Sequence, residues 1–258
     1  EEKDSSGQKN VQKLADDKGK VQEELKKASQ DLTNYKSENK ALLDKYSTLK
    51  KTYEESWMRD VIFRNMVFLR LCKFKEAKAL LDDQMAEHGE AYAKFFSRLS
   101  DRNEKIQKIY LALTDSGSKY SGANLEYEGR LLSISGGIYD IQDPATGKIK
   151  QKNWSDFTTQ QLAQIIKDFR GYKENEIKSA IEILNGTLGD ALKYNPEDKD
   201  LKDACKEFFE QNFNSLKYAM AGGDKKKIDT ITQNIVRQLE GSPDFDDMKL
   251  KIRNLNRE

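Results

Sequence analysis

The chain has few of the residues on which most catalytic and metal sites depend. Its 258 residues include one histidine, two cysteines and three prolines. A lone His88, expected at a helix end, cannot form a multi-histidine metal site, and no serine or cysteine can be paired with it from spacing. Cys72 and Cys205 fit no metal or redox spacing, so we expect buried free thiols. The sequence therefore predicts no catalytic residue, no cofactor and no metal site.

An excess of charge of one sign and long apolar runs are also missing. Lys and Arg number 45 against 44 Asp and Glu, which gives no bias toward nucleic acid or an anionic membrane. No run of about 18 apolar residues occurs, so we expect no membrane span. A charged fraction of 34% beside 36% hydrophobic residues is lean for one compact globule and indicates elongated helix. The polar start EEKDSSGQKN predicts a disordered tail over residues 1–8, typical of a trimmed chain or of an exported protein that has lost its signal segment.

Residues 9–56 carry a heptad pattern that predicts a coiled coil. With Val11 at position a, the a and d positions are mostly apolar for about six heptads, and no proline interrupts them. Such a helix would be roughly 70 Å long at 1.5 Å per residue, too long for a small domain to cover. The expected oligomerisation core is Leu14, Val21, Leu25, Leu32, Tyr35, Asn39, Leu42, Tyr46 and Leu49.

Asn39 bears on how this helix is paired. A buried side-chain amide needs a partner amide, which favours an in-register parallel homodimer. An antiparallel partner supplied by the C-terminal helices of the same chain is the alternative. The stretch SENKAL, residues 37–42, resembles the zipper half of leucine-zipper transcription factors. Their basic region has no counterpart upstream, so we expect no DNA binding through this helix.

Amphipathic helices are predicted on both sides of the middle of the chain. A wide apolar face broken at residues 73–75 predicts a helical hairpin region over residues 57–118. Five further helical segments are predicted in a C-terminal repeat-like domain, residues 159–258. These segments are Gln160–Arg170, Glu174–Leu192, with a soft spot at Gly186 and Gly189, Leu201–Met220, Lys225–Leu239 and Phe245–Leu255.

Two of the helix breaks resemble tetratricopeptide repeats. Phe68, the break at residues 73–77 and Leu81 are similar to the aromatic, turn, small and large apolar positions of that motif. The glycine-aspartate turn in residues 221–228, with Leu239 after it, resembles the same arrangement. The resemblance implies stacked antiparallel helix pairs whose concave surface binds a peptide or protein.

The sequence predicts a small β module over residues 119–158. Alternating apolar residues and turn signals predict a three-stranded antiparallel meander, 125–135, 138–142 and 148–154. Gly147-Lys148 lacks the other residues of a phosphate loop and is interpreted as a hairpin turn. Thr158 and Gln161 form a predicted capping box for the helix that covers the sheet, with Phe157 stapled onto Leu162.

The predicted fold is therefore mostly α, with a long coiled-coil helix, a body of antiparallel tetratricopeptide-like hairpins and an inserted meander. This layout resembles bacterial periplasmic adaptor proteins, which implies a non-enzymatic scaffold in the periplasm or cell envelope that binds a protein or peptide. A cytoplasmic location is the alternative. The rival function is an envelope ligand-binding or carbohydrate-binding protein, or an enzyme, that uses exposed Tyr127, Tyr139 and Trp154 as a binding platform.

Overall fold

The computed structural model describes residues 3–115, 124–125, 128–167 and 171–255, which are mostly helical with a small four-stranded sheet. The chain divides into two compact units, residues 1–56 and 57–258. The elements are α1 (Lys3–Arg70), α2 (Phe74–His88), α3 (Ala93–Thr114), β1 (Asn124–Leu125), β2 (Gly129–Ser135), β3 (Ile138–Gln142), β4 (Ile149–Asn153), α4 (Thr159–Ile165), α5 (Glu174–Asn185), α6 (Leu188–Tyr194), α7 (Lys199–Ala221), α8 (Lys225–Leu239) and α9 (Phe245–Leu255).

The described residues of the first unit, 3–56, are all helical. Because α1 begins at Lys3, the expectation of a disordered tail over residues 1–8 is wrong for residues 3–8. No proline interrupts this segment, and a helix that is already nucleated extends through weak helix formers. Surface ion pairs such as Lys50 with Glu54, 4.0 Å apart, add little to its stability.

The turn between α1 and α2 falls next to the predicted break. Cys72 takes a φ of 54°, and the Lys73 amide donates to the Phe68 carbonyl oxygen at 2.8 Å. Ala77 is buried in the first turns of α2. Both cysteines are free thiols, as predicted, but only Cys205 is buried and Cys72 is half-buried in the turn.

A pair of buried amides joins α1 to α3 within the second unit. Asn65 and Asn103 each donate from Nδ2 to the other's Oδ1 at 2.8 Å. Both residues are almost inaccessible to solvent, and each amide satisfies the other. A polar pair of this kind fixes how the two helices align, because any shift would leave two buried amides unpaired.

The sheet has four antiparallel strands in the order β1-β2-β3-β4, so the prediction of three strands is wrong. The expected first strand is two strands, because β1 pairs antiparallel with β2, which begins at Gly129 with a φ of 120°. The predicted turn at residues 143–147 is confirmed, since Asp143 Oδ1 accepts the Ala145 and Thr146 amides at 2.9 Å.

The sheet also closes the C-terminal end of α3. The Gly137 amide, in the turn between β2 and β3, donates to the Thr114 carbonyl oxygen at 2.8 Å. The Tyr139 hydroxyl donates to the Leu113 carbonyl oxygen at 2.6 Å. The last carbonyls of a helix have no partner inside it, so this small module supplies bonds that α3 lacks.

The C-terminal helices follow the predicted segments with two differences. The segment expected from Glu174 to Leu192 is two helices, because Gly186 adopts the left-handed conformation and ends α5. The capping box before α4 is confirmed: the Gln161 amide donates to Thr158 Oγ1 at 3.2 Å, and the Thr158 amide donates to Gln161 Oε1 at 2.9 Å. The first helix of this region is shorter than predicted, since α4 ends at Ile165.

Candidate functional site

An exposed apolar surface runs along the part of α1 that lies in the first unit. Every described side chain from residue 17 to residue 53 is exposed. The predicted core residues Val21, Leu25, Leu32, Tyr35, Leu42, Tyr46 and Leu49 are 57–71% exposed. We call these seven side chains, together with exposed Asn39, the α1 stripe; the side chain of Leu14 lies outside the described part of the structure.

The α1 stripe is continuous because of its spacing. Steps of three and four residues keep successive side chains on one side of a helix. From Val21 to Leu49 the stripe extends over roughly 42 Å at 1.5 Å per residue. Soluble proteins rarely leave a contiguous apolar surface of this extent without a partner.

Charged residues flank the α1 stripe on both sides. The g positions of the heptads carry four acidic residues and Lys45, whereas Lys36 and Lys50 occupy e positions; the acidic residues are Asp17, Glu24, Asp31 and Glu38. In a parallel coiled coil, a g residue lies beside the e residue of the following heptad in the partner helix. Asp31 would then lie beside Lys36 of a second copy, twice in a symmetric dimer.

Of the three aromatic residues that the sequence suggested as an exposed platform on the β module, Tyr139 is not exposed. Tyr139 is completely buried, with its ring 4.9 Å from that of Phe157. Trp154 is half-buried, with its ring 6.5 Å from that of Tyr110. Tyr127 lies outside the described residues. Alternation along β3 turns Tyr139 and Ile141 toward the core, a choice of face that the sequence pattern does not fix.

A cleft in the second unit was not predicted from the sequence. It lies between α3 and α5, with residues of the α6–α7 connection at one side, and has a volume of about 480 Å³. Small-molecule sites commonly have volumes of this order. The α3–α5 cleft is lined by Lys94, Ser97, Arg98, Asp101, Arg102, Lys105, Ile106, Ile109, Tyr172, Glu176, Ser179, Ala180, Ile183, Asn195 and Asp198.

Two arginines that line the α3–α5 cleft are paired with aspartates. Arg98 donates to both oxygens of buried Asp200, from Nη2 at 2.8 Å and from Nε at 3.1 Å. Arg102 Nη2 donates to Asp198 Oδ2. Asp198 also caps α7, accepting the Leu201 amide at 3.1 Å. These bonds hold α3 against the start of α7.

Some of the polar groups in the α3–α5 cleft make no hydrogen bond. Arg102 Nη1 is buried and forms an ion pair with Asp200 Oδ2 at 3.3 Å, but it has no hydrogen bond. Neither Lys94 nor Asp101 has a hydrogen-bond or ion-pair partner among the described residues. The sequence does place Lys94, Arg98 and Arg102 four residues apart on one helix face, but their carboxylate partners lie about a hundred residues further along the chain.

His88 lies at the C-terminal end of α2, as predicted. Its ring is centred 4.0 Å from that of Trp57, so it belongs to an aromatic cluster. Within the described ranges, no group of three or more His, Cys, Asp or Glu side chains is placed to hold a metal ion. None of the helices in the described part of the chain has the length and apolar character needed to cross a membrane.

The chain was compared with family models, with curated proteins and with solved structures. It matches none of them.

Proposed function

We propose that this protein is a non-enzymatic scaffold that self-associates through α1 and presents its helical body to a protein partner. The observation that carries the proposal is the α1 stripe, an exposed apolar surface at heptad spacing. Burying one large apolar side chain stabilises an assembly by about 1.5–3 kcal/mol. A surface made of several such side chains supports a stable helix pair.

A second copy of the chain fits the α1 stripe better than its own C-terminal helices do. Many of the apolar side chains of α7, α8 and α9 are already used in the core of the second unit, where Phe208, Ile235 and Met248 are buried. A second copy in the same register would place Asn39 opposite Asn39, so that each amide finds a partner. Two Asp31–Lys36 pairs would flank the same region.

The proposal extends to the partner and the location that the adaptor-like layout implies. The helix pairs in residues 57–258 would bind a protein or peptide, while α1 would set how many copies act together. We place this scaffold in the bacterial periplasm or cell envelope, with the cytoplasm as the alternative. Fractionation of cells that express the native gene distinguishes these locations.

Disulfide trapping tests the parallel, in-register arrangement. Leu42→Cys introduces a thiol at a d position, which faces its own copy only in an in-register parallel pair. Mild oxidation of the full chain should convert most of this variant into a covalent dimer on a non-reducing gel. An antiparallel or slipped pair would not bring the two thiols within bonding distance.

Lys40→Cys provides the matched control. Position 40 is equally exposed in the single helix but lies at a b position, on the outer side of a coiled coil. The wild-type chain, with Cys72 and Cys205, shows how much cross-linking the native thiols cause. Equal dimer yields from Leu42→Cys and Lys40→Cys would contradict the proposed pairing.

A further inference from the structure

The α3–α5 cleft has two chemically different ends. Lys94, Arg98 and Arg102 lie toward the N-terminal half of α3, whereas Ile106 and Ile109 lie one and two turns beyond Arg102. Ala180 and Ile183 of α5 add apolar side chains to the lining, and Lys105, next to Ile106 in the sequence, forms an ion pair with Glu176 at 3.7 Å. The lining therefore combines a cationic N-terminal part of α3 with aliphatic side chains, an arrangement that suits a ligand with a polar head and an apolar tail.

The cationic end offers donors that the protein itself does not use. The ammonium group of Lys94 has no partner among the described residues, and the Nη1 group of Arg98 takes part in neither of its bonds to Asp200. Arg102 Nη1 makes no hydrogen bond but forms an ion pair with Asp200 Oδ2 at 3.3 Å. An acceptor oxygen supplied by a ligand would give Lys94 and Arg98 Nη1 a charge-assisted hydrogen-bond partner here.

The charge of the surroundings limits which anion can bind. Asp101, Glu176, Asp198 and Asp200 lie in or directly behind the cleft, and they balance Lys94, Arg98, Arg102 and Lys105. A doubly charged phosphate would be repelled by the nearby carboxylates more strongly than a singly charged group. A carboxylate, which is planar and matches the guanidinium edge, fits these donors.

We propose that the α3–α5 cleft binds an aliphatic carboxylate, with its head group at Lys94, Arg98 and Arg102 and its hydrocarbon chain on Ile106, Ile109, Ala180 and Ile183. Arg102 and Ile109 are separated by roughly 10 Å along the helix at 1.5 Å per residue, which is comparable to the extended chain of octanoate. The site is built from residues of the second unit alone, so it does not depend on self-association through α1.

Calorimetric titration of the full chain with four eight-carbon compounds tests this assignment. Octanoate, octylamine, octanol and octyl phosphate share one tail and differ only in the head group. We expect saturable binding of one octanoate per chain, at least about tenfold tighter than binding of the other three. Octanol or octylamine binding as tightly as octanoate would overturn the proposal, and tighter binding of octyl phosphate would overturn the preference for a carboxylate.

Two charge reversals locate the site. Lys94→Glu changes an exposed lysine in the first turn of α3, at the cationic end of the cleft. Lys75→Glu makes the same change at the equivalent place in the first turn of α2, outside the cleft. Lys94→Glu should weaken octanoate binding by about tenfold or more, and Lys75→Glu should leave it unchanged. Equal effects of the two substitutions would contradict the assignment.

Hydrogen exchange measured by mass spectrometry separates this site from the α1 stripe, the other apolar surface on which octanoate could settle. Octanoate should slow exchange in peptides that cover residues 94–109 and 176–183. Protection confined to residues 17–53 would overturn the proposal. Sedimentation of the same samples reports self-association independently, so failure of one proposal is distinguishable from failure of the other.

Discussion

Tyr139 shows how one side chain can join two elements. Its ring fills the space beside Phe157, and its hydroxyl donates to the Leu113 carbonyl oxygen at 2.6 Å, near the end of α3. Burial raises the pKa of this phenol well above its ordinary value of 10.0. Tyr139, which the sequence suggested as a ligand contact, therefore makes a structural hydrogen bond between the sheet and α3.

Tyr139→Phe should lower the free energy of unfolding at neutral pH by about 1–3 kcal/mol, because the buried Leu113 carbonyl loses its donor. The difference in free energy of unfolding between the wild-type chain and this variant should decrease as the pH rises above about 10. There the unfolded phenol ionises while the folded one stays protonated, so the wild-type chain loses about 1.4 kcal/mol per pH unit and the variant does not. Denaturant unfolding at several pH values measures both effects. A difference in free energy of unfolding that does not change with pH would show that Tyr139 ionises equally in the folded and unfolded states.

Among the elements, the β2–β3 pair depends on one glycine. Gly129 has a φ of 120°, and a Cβ built there would lie 2.2 Å from the Gln142 carbonyl oxygen on β3. Gly136, in the turn between the same strands, has a φ of 57° and nothing within 4 Å of a built Cβ. The first position therefore combines a steric overlap with backbone strain, whereas the second carries strain only.

Gly129→Ala should destabilise the second unit by at least about 3 kcal/mol, since β2 and β3 cannot keep their spacing. Gly136→Ala should lower the free energy of unfolding by about 1–2 kcal/mol, because alanine is strained in the left-handed conformation. Thermal unfolding of the two variants, monitored by circular dichroism, measures the difference. Similar losses at both positions would argue against the close approach of Gly129 to β3.

The sequence predicted those elements that local signals define. The bounds of α8 and α9, the capping box at Thr158 and the turn at Asp143 follow from periodicity and short-range hydrogen bonds, and the structure confirms them. The split of the first strand and the buried face of Tyr139 depend on contacts with α3 and β3. Such long-range contacts cannot be predicted from a local sequence pattern.

The two candidate sites also differ in whether they could be predicted from the sequence. The α1 stripe could be found from the sequence because heptad spacing is a local property. The α3–α5 cleft could not, since it brings Arg98 and Arg102 to Asp200 and Asp198 across about a hundred residues. The sequence does show the basic residues of α3 at a spacing of four. This spacing is common on solvated helices, so it does not indicate a cleft.

The whole molecule combines a helix of exposed apolar residues with a packed body that has its own core. The proposed function requires that α1 associates with a second copy of the chain. A variant with Leu25→Glu, Leu32→Glu and Leu42→Glu places three charges in the α1 stripe. Its matched control, with Gln30→Glu, Asn34→Glu and Ser37→Glu, places three charges on the outer side of the same helix.

Sedimentation equilibrium of the full chain and these two variants tests the claim most directly. We expect the wild-type chain and the control to sediment with twice the chain mass of 29.7 kDa at micromolar concentration, and the stripe variant to sediment as a single chain with an unchanged thermal transition of the body. A wild-type chain that sediments at 29.7 kDa under these conditions would contradict the proposed self-association.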